Sequence, residues 1–577
     1  MSSRFALEGS EHHHPEGTVD AGAIAGQDRV EVTIYVRSDP SASAPFDVAA
    51  EATKPPAQRR YLSSDEAASV YGAAAGDLEA VRAFAAGHGL DVIRVNQAGR
   101  SVKVGGSAAA MSEAFGVQLR RFSHAEGSFR SHEGQVQLPA ELRGVVTGVF
   151  GLDTQRLGRS FLRAPGDTVQ QTLRDYAAHR RHHRHSATQP QPANTYLPPQ
   201  VAQLYDFPKV SAAGQTVAVL AFNGSMDGGP STPGGYDATI LEDYFTNDLG
   251  LALPTITDVT VQGPGNSPGD GSDPNDSSPE VYLDLSIVGA LATGAKIAVY
   301  FTEFTEQGWV DAITTVTTDT THAPGVISIS YGNPEDGAGT AWTSAAIAQV
   351  NTAFEQAAAQ GKTITCASGD SGASDGESSG LHVDFPASSP WVLACGGTRL
   401  ESSGGTISAE TVWNDQASGN GATGGGISVL FTPPPSWQTS AGAVAIAGTP
   451  LSGRGVPDVS SLADPQTPFI VAQPGGTGGV GGTSAAAPLW ASLITLCNAS
   501  LPKPAGYLNP TLYSLPAGTL RDIESGNNAA PGGEGYTAGP GWDACTGLGS
   551  PGASSLLNAL SGQAPAAQAP ATSPPPS

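Results

Sequence analysis

Apolar positions follow two different periods along the chain, one early and one late. RVEVTIYVR (29–37) alternates apolar and polar side chains, as a half-buried strand does. Ala, Leu and Val then recur at helical spacing over 64–89. VIRVNQ and SVKVGG, near 92–106, predict two strands joined by a turn; AAAMSEAFG (108–116) predicts a short helix, and VQLRRFSH the start of another strand. The order β-α-β-β-α-β is that of a ferredoxin-like α+β unit, placed at 28–163. Further on, TVAVLAF (216–222), KIAVYF (296–301), GVISISY (325–331) and KTITCAS (362–368) are apolar on both faces. Helical stretches alternate with them, such as SAAIAQVNTAFEQAAAQG (344–361), which closes on Gly361. Strands buried on both faces and separated by helices imply a doubly wound, largely parallel α/β sheet, placed at 194–561.

The remaining stretches lack either period. Residues 1–27 and the Pro/Ala-rich 562–577 are expected to be disordered. Residues 164–193, polar and basic, read as an exposed linker open to proteolysis; a plain interdomain linker has the same composition. No apolar run reaches the ~18–20 residues that span a bilayer. MSSRFALEGSEHHHPEG contains no apolar signal-peptide core. His12, His13 and His14 fit either a metal-binding tract or an unstructured polar tail.

Charge divides the chain where the pattern does. From Pro190 onward there are 7 basic and 32 acidic residues; the whole chain has 28 and 53, so residues 1–189 hold 21 of each. The entire net charge of −25 therefore lies in the second part, which argues against nucleic acid and anionic membranes as partners. Acid adaptation and simple solubility both account for it. Cys366, Cys395, Cys497 and Cys545 show no C-x-x-C spacing, and no pairing follows from one sequence; Cys366 and Cys497 lie in apolar stretches.

GGTSAAAPLWASLI (481–494) carries the sharpest chemistry. Two glycines permit a tight turn, and a serine at a helix N-terminus lies among free N–H groups that can hold an oxyanion. A plain N-cap serine needs no more than that, but G-T-S-x-A-x-P resembles the nucleophile motif of subtilisin-like enzymes. Pro488 suits the first turn of that helix. A serine needs a base, and the second domain has only His322 and His382, neither in an H-G-T-x-x-x-G setting; His88 reads as a helix end. SSPEVYLDLSIVGALATG offers Ser278 as N-cap, Pro279 as first helical residue, and Glu280 and Asp284 at i,i+4 on one face. Two such acids serve a solvated face, or they share a proton and act as base and orienter.

These motifs join FGLDT (150–154), NTYLPPQVAQLYDFP (194–208), GALATGAKIAVYF (289–301), ISISYGNPED (327–336), ASGDSGASDG (367–376) and HVDFPASSPWVLACGGTRL (382–400). ETVWND (410–415), GRGVPDVS (453–460), GYLNPTLY (506–513) and AGPGWDACTGLGSP (538–551) follow. Over nearly its whole length the chain resembles the sedolisins, or serine-carboxyl peptidases, and among them the kumamolisin-type pro-enzymes. The resemblance implies a subtilisin-like doubly wound domain behind a prodomain that aids folding and blocks the cleft as an intramolecular inhibitor. It implies a secreted, monomeric, acid-acting endopeptidase of proteins and peptides that activates itself by cleavage in 164–193. It implies Ser484 as nucleophile, Glu280 as general base and acid, Asp284 as its orienter, and protonated Asp370 in the oxyanion hole. One Ca²⁺ is implied in RDIESGNN…GYTAGPGWD (521–543), on Asp522 and Asp543 and the carbonyls of Ile523, Gly539 and Gly541; without the resemblance, two acids in a Gly-rich turn carry no such meaning. Ser330, Gly332 and Asp384 are candidate substrate contacts, Asp384 as an S1 acid favouring basic P1 residues or as a turn cap. Where the kumamolisin type extends the hydrogen-bond chain with a further Glu and a Trp, this sequence has Ala221 and Tyr331. The linker histidines His179, His182, His183 and His185 charge below pH ~6.5 and suit either a pH sensor or a solvated tail.

Overall fold

The computed structural model describes residues 3–42, 46–125, 127–182, 191–224, 231–440, 445–446 and 449–562. Strands β1 (Arg29–Val36), β2 (Asp91–Asn96), β3 (Ser101–Ser107) and β4 (Val146–Phe150) form an antiparallel sheet ordered β2-β3-β1-β4. With helices α1 (Ser64–Tyr71), α2 (Ala75–Gly87) and α3 (Ala108–Phe115), this is the ferredoxin-like topology. The fourth strand is 146–150, not VQLRRFSH: Arg120–His124 leaves the sheet and pairs instead with Val19–Ala23 and Gly127–Ser131. The expected helix over 64–89 is two helices. Gly72 ends the first, its N–H on the Ala68 carbonyl, at a position where a side chain would strike that same carbonyl.

The expectation of disorder over 1–27 does not hold. Arg4–Ala6 pairs with Gln137–Pro139, burying Phe5 and Leu7, and Val19–Ala23 adds a further strand. The polar composition hid this because each strand is short and is held by main-chain bonds. His14 packs 4.2 Å from the Phe122 ring, and His12 lies 3.8 Å from both Asp153 and Glu306, so neither belongs to a free tail. Residues 167–182 are helical, and Leu173 is buried under the polar stretch that read as open linker. His183 and His185, and the tail 563–577, lie outside the described residues, as do the side chains of His179 and His182.

The second sheet contains β5 (Thr216–Asn223), β6 (Thr255–Thr260), β7 (Lys296–Glu303), β8 (Val326–Ile329), β9 (Thr363–Ala367), β10 (Leu393–Ser403), β11 (Thr406–Val412) and β12 (Val459–Leu462). Its order is β6-β7-β5-β8-β9-β10-β11, with β12 also on β10, and only β11 runs antiparallel. Alternate residues of β5 enter two cores. Val217, Val219 and Ala221 meet helices α4 (Ser278–Leu291) and α7 (Thr483–Ser500). Ala218, Leu220 and Phe222 meet α5 (Glu306–Thr318) and α6 (Ser344–Ala359). Helices thus cover both faces, as strands without a polar side require.

The first sheet lies against α5 and α6. Thr33 and Tyr35 of β1 donate to the two oxygens of buried Asp311 at 2.9 and 2.8 Å. Arg59 reaches the Ala505 carbonyl and the Thr511 hydroxyl. From β4 the chain continues through Leu157, whose carbonyl accepts from Trp309 Nε1 at 2.8 Å, and enters the C-terminal edge of the parallel sheet. Crevices for ligands open at that edge in doubly wound folds.

Candidate active site

Helix α4 is buried on every side, so Glu280 and Asp284 do not form a solvated face: they are 1% and 0% exposed. The helix starts one residue earlier than expected. Ser277 stands at its cap, and Ser278 uses its hydroxyl to accept from Gly269 N. Glu280 Oε2 accepts from Ser484 Oγ at 2.9 Å and from Ser160 Oγ at 2.6 Å. Asp284 Oδ1 accepts from Ser330 Oγ at 2.7 Å. Glu280 Oε1 and Asp284 Oδ2, on side chains one turn apart, are buried with no hydrogen-bond donor among the described residues. Burial pushes both carboxyls well above their usual range, and the charge of Asp284 pushes Glu280 further. The pair therefore tends to keep a proton.

Ser484 is the second residue of α7. The turn into this helix needs glycine: Gly482 has φ +104°, and a β-carbon there would strike the Phe161 carbonyl oxygen and crowd Asp370 Oδ2. Pro488 lies deeper than the first turn, as the sixth helical residue. Having no N–H, it leaves the Ser484 carbonyl without its i+4 donor, and Ser330 Oγ lies 3.3 Å from that oxygen. Asp370 follows β9 and faces the same helix end. Its Oδ1 accepts from Thr483 N and Thr483 Oγ1, both at 2.8 Å. Burial nevertheless lifts its pKa to about 6, opposed first by the Arg163 guanidinium and then by the Thr483 bonds.

The cleft contains the protein's own chain. Arg159 and Ser160 pair antiparallel with Gly332 and Tyr331. Phe161 N donates to Ser330 O at 3.2 Å, and Ser484 N donates to Phe161 O at 3.2 Å. Arg163 bridges Gly481 in both directions, at 2.9 and 2.8 Å. One carbonyl, that of Phe161, is thereby presented to the N–H of Ser484. The segment lies just before 164–193, where the sequence placed the cut. Ser160 and Arg163 were not singled out from sequence, and RSFLR carries no motif that would have marked them.

Ser330 and Gly332 stand beside this segment as main-chain partners. A side chain on Gly332 would collide with Asp384. Asp384 and Asp375 form a buried carboxyl pair. Arg159 donates to Asp375 Oδ1 at 3.0 Å, and burial, opposed by Arg159, holds Asp375 at about 7. The cation these acids face is thus two residues before Phe161. Tyr331 is buried with its hydroxyl unpaired, its ring 4.8 Å from that of Phe222, while Ala221 sits in the core; neither extends a hydrogen-bond chain behind Asp284. His322 and His382 bind local carboxylates, Asp319 at 2.7 Å and Asp336 at 2.8 Å, and His88 holds the end of α2 through Phe84 O. All four cysteines are free and buried.

In the 521–543 loop, Gly541 N donates to Asp522 Oδ2 at 2.7 Å and Gly539 N to Asp543 Oδ2 at 3.4 Å, so two carboxylates clasp one turn. Burial lifts Asp543 to about 6. Two carboxylates drawn to one turn offer only oxygen, the donor type a hard cation takes. No helix among the described residues is long and apolar enough to cross a membrane.

Residues 16–155 match the family described as Pro-kumamolisin, activation domain, and residues 266–520 match the Subtilase family. Kumamolisin from Bacillus sp. (strain MN-32) is 44% identical over 98% of this chain and 98% of its own length. Sedolisin from Pseudomonas sp. (strain 101) is 32% identical over 78% of this chain and 73% of its own. The solved structure of Pseudomonas sedolisin, a serine-carboxyl proteinase complexed with two molecules of pseudo-iodotyrostatin, aligns with a TM-score of 0.51 at 30% identity, covering 64% of this chain and 99% of that one. With an activation prodomain ahead of a subtilisin-like domain, the chain belongs to the sedolisin family of serine peptidases, among its kumamolisin-type precursors.

Proposed function

We propose that the protein is an acid-acting endopeptidase precursor that first cuts itself between Phe161 and Leu162. The observation that carries this reading is the Phe161 carbonyl, which accepts from Ser484 N while its own residue's N–H is held by Ser330 O and Arg163 is paired to Gly481. Strand-like binding on both sides of one peptide bond is how an extended substrate is fixed.

In this reading Ser484 Oγ attacks the carbonyl carbon and Glu280 Oε2 takes the hydroxyl proton. Ser484 N and protonated Asp370 hold the oxyanion, and Asp284 keeps Glu280 in place. Glu280 then returns the proton to the leaving nitrogen of Leu162; water hydrolyses the Ser484 ester by the same route in reverse. An ionised aspartate only accepts hydrogen bonds, so Asp370 must be neutral to donate. A histidine at about pH 3.5 would be almost fully protonated, whereas a glutamate can both take and give a proton there. The choice of base thus fixes an acid working range, and an acidic exterior is the setting where such an enzyme works; we place the protein outside the cell. Asp375 and Asp384 would favour a basic residue two positions before Phe161, at P3 rather than P1.

The test is to bring full-length protein and its Ser484→Ala variant from neutral pH to about 3.5 and follow intact mass and casein hydrolysis. The wild type alone should release a fragment ending at Phe161 and then degrade casein. A wild type that stays whole and inactive would remove the proposal.

We also assign one Ca²⁺ to Asp522, Asp543 and the carbonyls of Ile523, Gly539 and Gly541, where it would add positive charge beside the two carboxylates and tie the 521–543 turn together. Chelation should lower the Tm, because a ligand bound only by the folded state stabilises it. Asp543→Asn should abolish the difference between chelated and calcium-loaded protein; a Tm indifferent to calcium in the wild type speaks against the site.

A further inference from the structure

Arg163 lies two residues beyond the carbonyl held at Ser484, and its side chain turns back into the oxyanion side of the site. Its main chain is pinned to Gly481 in both directions, so its Cα has little freedom. Arg163 Nε lies 3.3 Å from Asp370 Oδ2, while Nη2 is 3.3 Å from the Asp370 carbonyl and 3.5 Å from Ser371 Oγ. Glycine at 421 makes room for it, since a β-carbon there would come within 3.2 Å of Arg163 Nε. Among the described residues neither Arg163 Nε nor Asp370 Oδ2 has a hydrogen-bond partner, which leaves the 3.3 Å contact between them as the polar contact of both.

Other groups also face Asp370. Thr483 N and its hydroxyl occupy Oδ1, Glu280 on α4 contributes like charge when ionised, and Arg159 acts from further along the segment. The two cations acting most strongly on Asp370 are therefore both carried by the segment that is to be cut. Once the chain is cut after Phe161, Arg159 goes with the released prodomain, and Arg163, second residue of the new N-terminus, is free to leave the cleft with the leaving strand.

We propose that Arg163 is a brake on self-cleavage: paired with Asp370, it favours the charged form of that carboxyl while the segment fills the cleft, and it moves out of the site with the leaving strand once the chain is cut. The proposal rests on the reading of Asp370 as an oxyanion donor. The sign follows from charge: a guanidinium favours the carboxylate, and only the neutral acid can donate. The precursor must then reach a lower pH to cut itself than the processed enzyme needs to cut other chains. A secondary consequence concerns substrates, since any peptide with arginine at the second position after the cut should carry the same penalty.

Self-cleavage rates of full-length wild type, Arg163→Gln and Arg163→Lys are to be measured by intact mass across a pH series, beside the pH profile of each acid-processed enzyme on one peptide. Removing the guanidinium should move the upper pH limb of self-cleavage upward by about 1 unit, roughly tenfold faster cleavage on that limb, with Arg163→Lys close to wild type. The profiles on the added peptide should coincide. As a readout independent of any variant's folding, processed wild type is given two peptides, RSFLR and RSFLQ flanked alike, and the arginine peptide should show the lower limb in kcat/KM. Coincident self-cleavage limbs, or matched limbs for the two peptides, overturn the brake while leaving the catalytic reading in place. Failure of all precursors to cut in acid removes the catalytic reading and the brake with it.

Discussion

Glu280→Gln is expected to give a folded precursor that stays whole in acid and, once its prodomain is removed by added wild-type enzyme, hydrolyses casein with kcat lowered by roughly 10⁴-fold or more. The geometry says why the loss is large and the fold survives. Glutamine keeps a carbonyl oxygen where Glu280 Oε2 accepts from Ser484 and Ser160. Its amide nitrogen takes the place of Oε1, which has no donor now, on the same helix face as the unpaired Asp284 Oδ2. What is lost is the ability to take a proton. Stability should move the other way with pH. Burial raises the Glu280 carboxyl, so the folded state binds its proton more tightly than the unfolded chain does. That contribution is complete below the unfolded value of about 4.3 and is lost as pH rises above it. An amide escapes the loss, so the Tm of Glu280→Gln should equal or exceed that of wild type, the gap widening from acid toward neutral pH. Full activity in the variant would transfer the base role elsewhere; a large drop in Tm would make its inactivity uninformative about chemistry.

The parts of this molecule that were legible in sequence are those whose side chains must be buried or must react. TVAVLAF and KIAVYF can only be strands covered on both faces, and they become β5 and β7 in parallel register. Glu280, Asp284, Asp370 and Ser484 come from motifs more than a hundred residues apart in part, and the fold brings them to one sheet edge. The parts that stayed hidden are held by main-chain bonds. Arg4–Ala6, Val19–Ala23 and the 159–163 segment all pair through N–H and C=O groups, which every residue has, and such pairing leaves no signature in side-chain pattern. Pro488 was misplaced for a related reason. Proline inside a helix is disfavoured unless the freed carbonyl finds a polar neighbour, and that neighbour, the Ser330 hydroxyl at 3.3 Å, is 154 residues away in sequence.

Asp370 gives the second large effect, and two substitutions separate its charge from its shape. Asp370→Ala removes the donor and should lower kcat about 10²–10³-fold at the acid optimum, the usual loss for one oxyanion contact. Asp370→Asn should lose much less there. Thr483 N and Thr483 Oγ1 both donate to Oδ1, which obliges the asparagine to place its oxygen at that end and its NH₂ at the Oδ2 end. Gly482, lacking a side chain, leaves that NH₂ open to the carbonyl at the nucleophile. An amide donates at every pH. Self-cleavage of the wild-type precursor should fall as pH rises through about 6, where burial opposed by Arg163 has placed the Asp370 carboxyl, because the neutral donor is lost in that window; the processed enzyme, with Arg163 out of the cleft, should lose activity at higher pH. The asparagine variant has no such group, so its upper limb should extend to higher pH, limited only by other groups. If Asn and Ala lose activity equally, or if the upper limb of Asp370→Asn stays at the wild-type position, Asp370 holds the turn before α7 and does not donate to the oxyanion. The acid dependence would then rest on the Glu280–Asp284 pair alone.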